Sequence, residues 1–329
     1  MKPVIAISMG DFNGIGPEVI LKSSDSFFGD STPLLLGHLK PFQFYAEKLG
    51  ITPQINIVTS PDEVEEDKLN LLQISDKELK PEPRKLSAVA GKLSMQAVEA
   101  GVKLCLQNKA SALVTAPISK EAITLAGYNV PGHTDFLAQE TNTDFVLMML
   151  VSGNLRVALV TAHIPVRDIS TQITKEKIER SVRALYKSLK DDFSINQPKI
   201  AVFGLNPHSG DGGVIGMEEI EIIGPAIEEL SKEIEGIEGP FAADGFFGQK
   251  MQNSFDGILA MYHDQGLAPF KALSFGKGVN FTAGLPIIRT SPDHGTAFSI
   301  AGMNKANQQS FTEAYKLAVK LSLKQVDEF

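Results

Sequence analysis

Short apolar runs that stop abruptly at turn residues constrain this chain more than any other feature. VALVTAHIP, IAVFGLNPHSGDGG and GILAMYHDQG each pass from apolar residues into a turn and carry a histidine there: His163, His208 and His263. Runs bounded by Gly, Pro and Asn read as strands buried in a parallel sheet. Open α/β folds bind ligands just beyond the carboxyl ends of such strands, so the three imidazoles are expected near one crevice. Three neutral imidazoles with room for substrate form a catalytic metal-site pattern. A single histidine after a strand more often caps a turn or packs in a core; repetition is what favours ligands. The spacings (208 − 163 = 45, 263 − 208 = 55) match no short zinc-finger or HExxH pattern.

Other runs fill in the architecture. PVIAISMGD reads as a first strand, followed by the turn and helix start GIGPEVILKSS, with Pro17 and Glu18 suited to a helix N-terminus. PLLLGH, LNLLQI and SALVTAPISK read as further strands. Helical spacing marks AGKLSMQAVEAGVKLCLQNK, and Ile178, Val182, Leu185 and Leu189 after Thr174. Met217 to Ile234 reads as a helix with its acidic residues outside, and Ser310 with Glu313 as a capping box before a last helix. Strands alternating with helices imply a three-layer α/β/α architecture. With 329 residues the chain suits two domains or one large one.

Composition narrows the function classes. The chain is 43% hydrophobic and 21% charged, a globular balance. No apolar run reaches a membrane span, and MKPVIAISMGD turns polar too soon for a signal peptide, so the expected location is cytoplasmic, with no membrane partner. The net charge of −8 argues against nucleic acid. Cys105 is the only cysteine and lies on an apolar stripe with Val98 and Val102, a packed thiol rather than a nucleophile.

Several segments carry polar groups suited to an anion or a nucleotide. GDFNGIGPE, residues 10–18, serves either as a phosphate cradle or as a tight turn with no ligand. In PGHTDFLA, His133 and Thr134 suit a phosphate, or Thr134 or Asp135 caps a helix. Lys271, Asn280 and Arg289 interrupt an apolar, Gly- and Pro-rich stretch, and Arg289 ends the run GLPII. PDHGTAFSIAG places His294, Gly295 and Thr296 before a small-residue helix start. Asp264 beside His263, and Asp244 in AADGFFG, are candidate histidine partners or proton acceptors, or turn formers.

Taken together, GDFNGIGPE, TAPISK, GHTDFLA, TAHIP, LNPHSGDGG, DGFF, YHDQG and SPDHGTAFSIAG resemble the 4-hydroxythreonine-4-phosphate dehydrogenase family, nearly end to end. The resemblance implies a two-domain fold with a cleft, like that of isocitrate and isopropylmalate dehydrogenases. It implies a discontinuous first domain, 1–127 with 276–329, contributing to NAD(P) binding. A second domain, 128–275, would contribute metal ligands and the interface of a homodimer. His163, His208 and His263 would hold one divalent ion (Zn, Co, Mn, Ni or Mg), and Asp244 and Asp264 would be catalytic. His133, Thr134, Lys271, Asn280 and Arg289 would hold the phosphorylated substrate. Gly14, His294, Gly295, Thr296, Ala297 and Asn307 would contact NAD or NADP. The implied reaction oxidises 4-phosphohydroxy-L-threonine, with later loss of CO2, in pyridoxal 5'-phosphate biosynthesis. Relatives acting on phosphorylated threonate or erythronate share the same motifs. Phe12 stands where many members carry proline, and Ser209 and Asp211 vary the loop after LNPH. These departures touch no inferred ligand, and they leave substrate choice open.

Overall fold

The computed structural model describes residues 2–326. Its first elements are β1 (Val4–Ser8), α1 (Gly16–Ser23), β2 (Thr32–Gly37), α2 (Leu39–Leu49), β3 (Ile55–Val58), β4 (Leu69–Gln73), α3 (Ala88–Leu106) and β5 (Ala112–Thr115). There follow α4 (Lys120–Leu125), α5 (His133–Glu140), β6 (Leu147–Ser152), β7 (Leu155–Leu159), α6 (Ile169–Gln172), α7 (Lys175–Asp191) and β8 (Ile200–Phe203). The last are α8 (Gly224–Leu230), β9 (Ile237–Phe241), α9 (Ala243–Gly248), β10 (Gly257–Ala260), α10 (His263–Ser274), β11 (Val279–Ala283), β12 (Ile288–Pro292) and α11 (Gln309–Val326).

Two compact units result: Met1–Asp144 with Leu285–Phe329, and Phe145–Gly284. The sequence reading divides the chain earlier, after 127 and after 275, and packing moves both divisions. Phe136 and Leu137 of α5 are buried in the first unit's core. β11 pairs antiparallel with β6, Asn280 opposite Leu150, and so belongs to the second unit.

In the first unit the strands run in the order β3-β4-β2-β1-β5-β12, with parallel pairing. Alternate side chains point to opposite faces. Ala6, Leu34, Leu36 and Leu113 share one core with Val98 and Val102 of α3. Thr290, level with Val114, points the other way, where its hydroxyl donates to Ala314 O of α11 at 2.9 Å. Helices on both faces explain why Leu34, Leu35 and Leu36 are all fully buried, each contributing about 1.5–3 kcal/mol. Cys105 is buried in the α3 stripe, and burial pushes its thiol up to about 12, which suits packing and not attack.

The second unit has the order β11-β6-β7-β10-β8-β9. β7, β10, β8 and β9 pair in parallel. β6 and β7 form an antiparallel hairpin across Gly153 and Asn154, an element that the parallel-sheet reading passes over. Thr174 caps α7, accepting from Lys177 N at 3.3 Å, and Ile178, Val182, Leu185 and Leu189 are its fully buried stripe. α10 covers the opposite face with Leu267 and Phe270.

Two helix readings need correction. The 217–234 segment is a π-turn, Glu219–Ile223, followed by α8, and Glu219 is buried rather than outside. Ser310 lies inside α11, because the helix starts one residue earlier, and its hydroxyl accepts from Asp293 N at 2.9 Å. Among the described residues no helix is long and apolar enough to cross a membrane.

Candidate active site

The three histidines follow β7, β8 and β10, and those strands are neighbours in the order β7-β10-β8. All three imidazoles therefore stand beyond the carboxyl ends of adjacent parallel strands, where such folds bind ligands. His163 and His263 are close, with ring centroids 5.8 Å apart. They line a cleft of about 220 Å³ with Thr161, Ile169, Tyr262 and Asp264. His208 is exposed on the next loop. Among the described residues no three His, Cys, Asp or Glu side chains are gathered tightly enough to hold an ion. The fold thus brings two rings together and holds the third on a neighbouring loop.

Side chains stitch these strand ends together. Thr161 Oγ1 donates to Met261 O at 2.7 Å, tying the end of β7 to that of β10. Gln265 Nε2 donates to Gly204 O at 2.7 Å and its Oε1 accepts from Met261 N at 2.8 Å, tying β10 to β8. The loop after β8 is strained: His208, Ser209, Gly210, Asp211 and Gly212 all have φ between 46° and 82°. For His208, Ser209 and Asp211 that region costs about 1 kcal/mol or more each. Backbone strain of this kind persists where neighbouring contacts over-determine it.

The donor chemistry suits a divalent ion. His263 Nδ1 lies 2.7 Å from Asp264 Oδ1, an arrangement that leaves Nε2 as the coordinating atom. Asp264 is itself exposed to the cleft. Asp244 sits in the first turn of α9 and is exposed. Lys271 lies exposed near the end of α10, and Asn280 is half-buried in β11.

The first unit holds a different constellation. Arg289 is the largest fully buried side chain, 2% exposed. It does not end a strand, as the GLPII run suggests; β12 starts at Ile288 and Arg289 is its second residue. The parallel register sets Arg289 opposite Leu113, on the sheet face shared by Thr115. Its Nε and Nη2 donate to Thr115 Oγ1 at 3.1 and 2.6 Å. Burial lowers its pKa, to about 9, and the guanidinium stays charged at neutral pH. His133 is the first residue of α5, and the helix is entered through Gly132 without a side-chain cap, so neither Thr134 nor Asp135 is the N-cap. Its Nε2 is buried and has no hydrogen-bond partner. Burial first, and the Arg289 charge second, hold the ring well below the usual histidine range. A neutral imidazole, a guanidinium and a helix N-terminus here face one corner, and all three favour an anion.

The glycine-rich turn resolves as an anchor. Asn13 N donates to Asp11 Oδ1 at 2.9 Å, Gly14 N to Asp11 O at 3.0 Å and Ile15 N to Thr296 O at 3.0 Å. Amides that a phosphate would need are thus engaged within the protein. A Cβ on Gly14 would lie 2.9 Å from Thr296 O, so only glycine admits this approach. The turn therefore holds the segment that carries His294 to Ala297. Glu18 does the same further on: Oε1 accepts from Ala306 N at 3.0 Å, beside Asn307. Asn307 Oδ1 accepts from Gln309 N at 2.8 Å at the start of α11. Ala297 is left-handed and opens a single 3-10 turn, shorter than the expected helix start. His294 Nε2 is buried without a partner, an atom that a ligand could satisfy, which fits a bound nucleotide.

Sequence reasoning missed Thr115, Thr161, Gln265 and Glu219. Glu219 did leave a signal: it stands four residues before Ile223, on the stripe continued by Ala226, Ile227 and Leu230. A carboxylate on a buried stripe is seldom idle.

Comparison with known proteins adds the lineage. Residues 30–318 match the family described as pyridoxal phosphate biosynthetic protein PdxA. The chain is 44% identical to a 4-hydroxythreonine-4-phosphate dehydrogenase of Prosthecochloris aestuarii, over 98% of each chain. It is 41% identical to a D-threonate 4-phosphate dehydrogenase of Cupriavidus necator, over 97% of each. A crystal structure of 4-hydroxythreonine-4-phosphate dehydrogenase from Klebsiella pneumoniae superposes with a TM-score of 0.88 at 36% identity, covering 98% of each chain. With this match running nearly end to end over a fold that carries every motif, the chain belongs to the PdxA family.

Proposed function

We propose that this protein is a dehydrogenase that oxidises 4-phosphohydroxy-L-threonine with NAD or NADP. The product is 2-amino-3-oxo-4-phosphooxybutanoate, which loses CO2 to give 3-amino-2-oxopropyl phosphate for pyridoxal 5'-phosphate synthesis. The observation that carries the reading is the placement of His163, His208 and His263 beyond three adjacent parallel strand ends. These side chains would hold one divalent ion; His294 to Ala297, with Gly14 and Asn307, would hold the nucleotide. When bound, NAD(P) accepts the hydride and the ion polarises the oxygen at the carbon being oxidised.

The chain's own residues do the rest. Arg289 supplies countercharge to the phosphate, and His133 donates from Nε2, the atom left without a protein partner. Thr134, Lys271 and Asn280 are further substrate contacts. Asp264, which lines the cleft beside His263, would take the hydroxyl proton, with Asp244 as the other candidate. Val166, Val214, Ile215, Met217 and Ile220 are exposed on segments close in sequence to His163 and His208, which supports a second copy of the chain packing there.

A second reading has a specific ground: the D-threonate relative is nearly as similar as the hydroxythreonine one. NAD(P)H formation separates them, measured with 4-phosphohydroxy-L-threonine and with 4-phospho-D-threonate and -D-erythronate, before and after chelation. We expect preference for the amino acid, loss on chelation, and recovery with added divalent ion. Preference for the sugar acids would keep the chemistry and change the substrate. Turnover untouched by chelation would remove the ion.

A further inference from the structure

His208 rides on a backbone that is costly to maintain, and the contacts that maintain it converge on one carboxylate. Glu219 is 5% exposed. Its Oε1 accepts from Leu205 N and Asn206 N, both at 2.7 Å, and its Oε2 accepts from Asn206 Nδ2 at 2.9 Å. The same carboxylate fills the inside of the loop. A Cβ on Gly204 would lie 2.9 Å from Oε1, and one on Gly210 would lie 2.7 Å from Oε2. The first residue of a π-turn delivers it, an irregularity common near functional sites. Gln265 holds the root of the same loop through Gly204 O. Two further contacts close the turn: Ser209 Oγ donates to Pro240 O at 3.0 Å, and Asn206 Nδ2 also donates to Glu218 Oε2 at 2.7 Å.

We propose that Glu219 is the positioning residue for His208. Its buried carboxylate holds the 204–213 loop, left-handed from His208 to Gly213, in the form that presents this imidazole beyond β8, so ion affinity depends on Glu219 although it is no ligand. The inference rests on the reading of His163, His208 and His263 as ion ligands. It accounts for the third ring being held apart from the other two: a ring on a strained loop is only as well placed as the group that holds the loop.

The test uses the full chain, stripped of metal by chelation, with Zn2+ affinity read by competition against a chromophoric chelator. Wild type, His208→Ala, Glu219→Gln and Glu219→Ala are compared, with amide exchange over 204–214 and the thermal midpoint of each metal-free protein. Glu219→Gln keeps the Oε1 acceptor and should weaken Zn2+ binding roughly 10-fold; Glu219→Ala should weaken it on the order of 100-fold. In both, amides of 205–214 should exchange faster, and kcat at saturating ion should return towards the wild-type value. Wild-type affinity or unchanged loop exchange in the Gln variant, with His208→Ala impaired, would overturn the assignment while sparing the ligand reading. A wild type that binds no Zn2+, or a His208→Ala variant that binds it normally, would instead sink the ligand reading and the inference with it. If Glu219→Ala does not fold, the Gln variant decides.

Discussion

The two units build their candidate sites by opposite means. In the first, Arg289 is locked inside a strand, its guanidinium fastened to Thr115 and its charge felt by His133, whose Nε2 is buried. In the second, the histidines stand beyond the strand ends, His163 on a loop beside His263 at the start of α10 and His208 on strained backbone. The corner around Arg289 is assembled by sheet register, so it exists before any ligand arrives. The histidine set depends on side chains that hold loops, Thr161, Gln265 and Glu219 among them. Desolvating a cation is expensive, and a rigid sheet can bear it where an offsetting anion would bind in one place. As ligands, histidines at strand ends would adjust to the ion and to an oxygen of the substrate.

The largest effect expected from this contrast is on the histidines. His163→Ala or His263→Ala should lower divalent-ion affinity on the order of 100-fold or more, with the affinity for a phosphorylated substrate analogue in chelator little changed. Calorimetric titration with ion and with analogue checks both; equal losses in the two titrations would erase the distinction between the sites. Next comes the buried corner. Arg289→Ala should raise KM for the phosphorylated substrate roughly 10- to 100-fold, the worth of a charge-assisted contact, while leaving metal content intact. Arg289→Lys, which keeps the charge without the fork, should recover part of it. Steady-state kinetics with the metal content of each variant make the comparison, and an unchanged KM would remove Arg289 from the phosphate site.

The smallest effect belongs to Asp11 in the turn that anchors the Thr296 segment. It is fully buried, one carboxyl oxygen has no partner, and burial pushes its pKa up to about 6 from 3.8. The folded protein therefore holds a proton that the unfolded chain releases near pH 4. Stability from this group is full below about pH 4 and is lost as pH rises through about 6, a difference of about 2–3 kcal/mol. Asp11→Asn should flatten that part of the stability-against-pH curve relative to wild type in denaturant titrations. A parallel pair of curves would mean that Asp11 is ionised throughout.

Much of this site was legible from particular residues. His163, His208 and His263 each announce a strand end by the Gly, Pro or Asn around them, and Thr174 announces the helix that it caps. Arg289 was less legible: Pro286 and the two isoleucines look like a run that stops, whereas the strand continues through Arg289, Thr290 and Ser291 because all three are covered from above and below. Its partner Thr115 lies 174 positions away. Glu219 was hidden by composition, one acid among several, although its place on the apolar stripe marked it.

Local chemistry decides the elements, because a strand needs only its own apolar run and a turn only its own Gly, Pro or Asn. The sequence by itself therefore determined the α/β alternation, the packed thiol at Cys105 and the three histidines at strand ends. It could not determine that β10 lies between β7 and β8, that Arg289 faces Thr115, or that Glu219 turns inward under the His208 loop. Those follow from strand order, register and burial, which are set by contacts between residues far apart in the chain. Only the tertiary structure decides which of the polar groups ends up dry, and a dry polar group is the one that must find a partner.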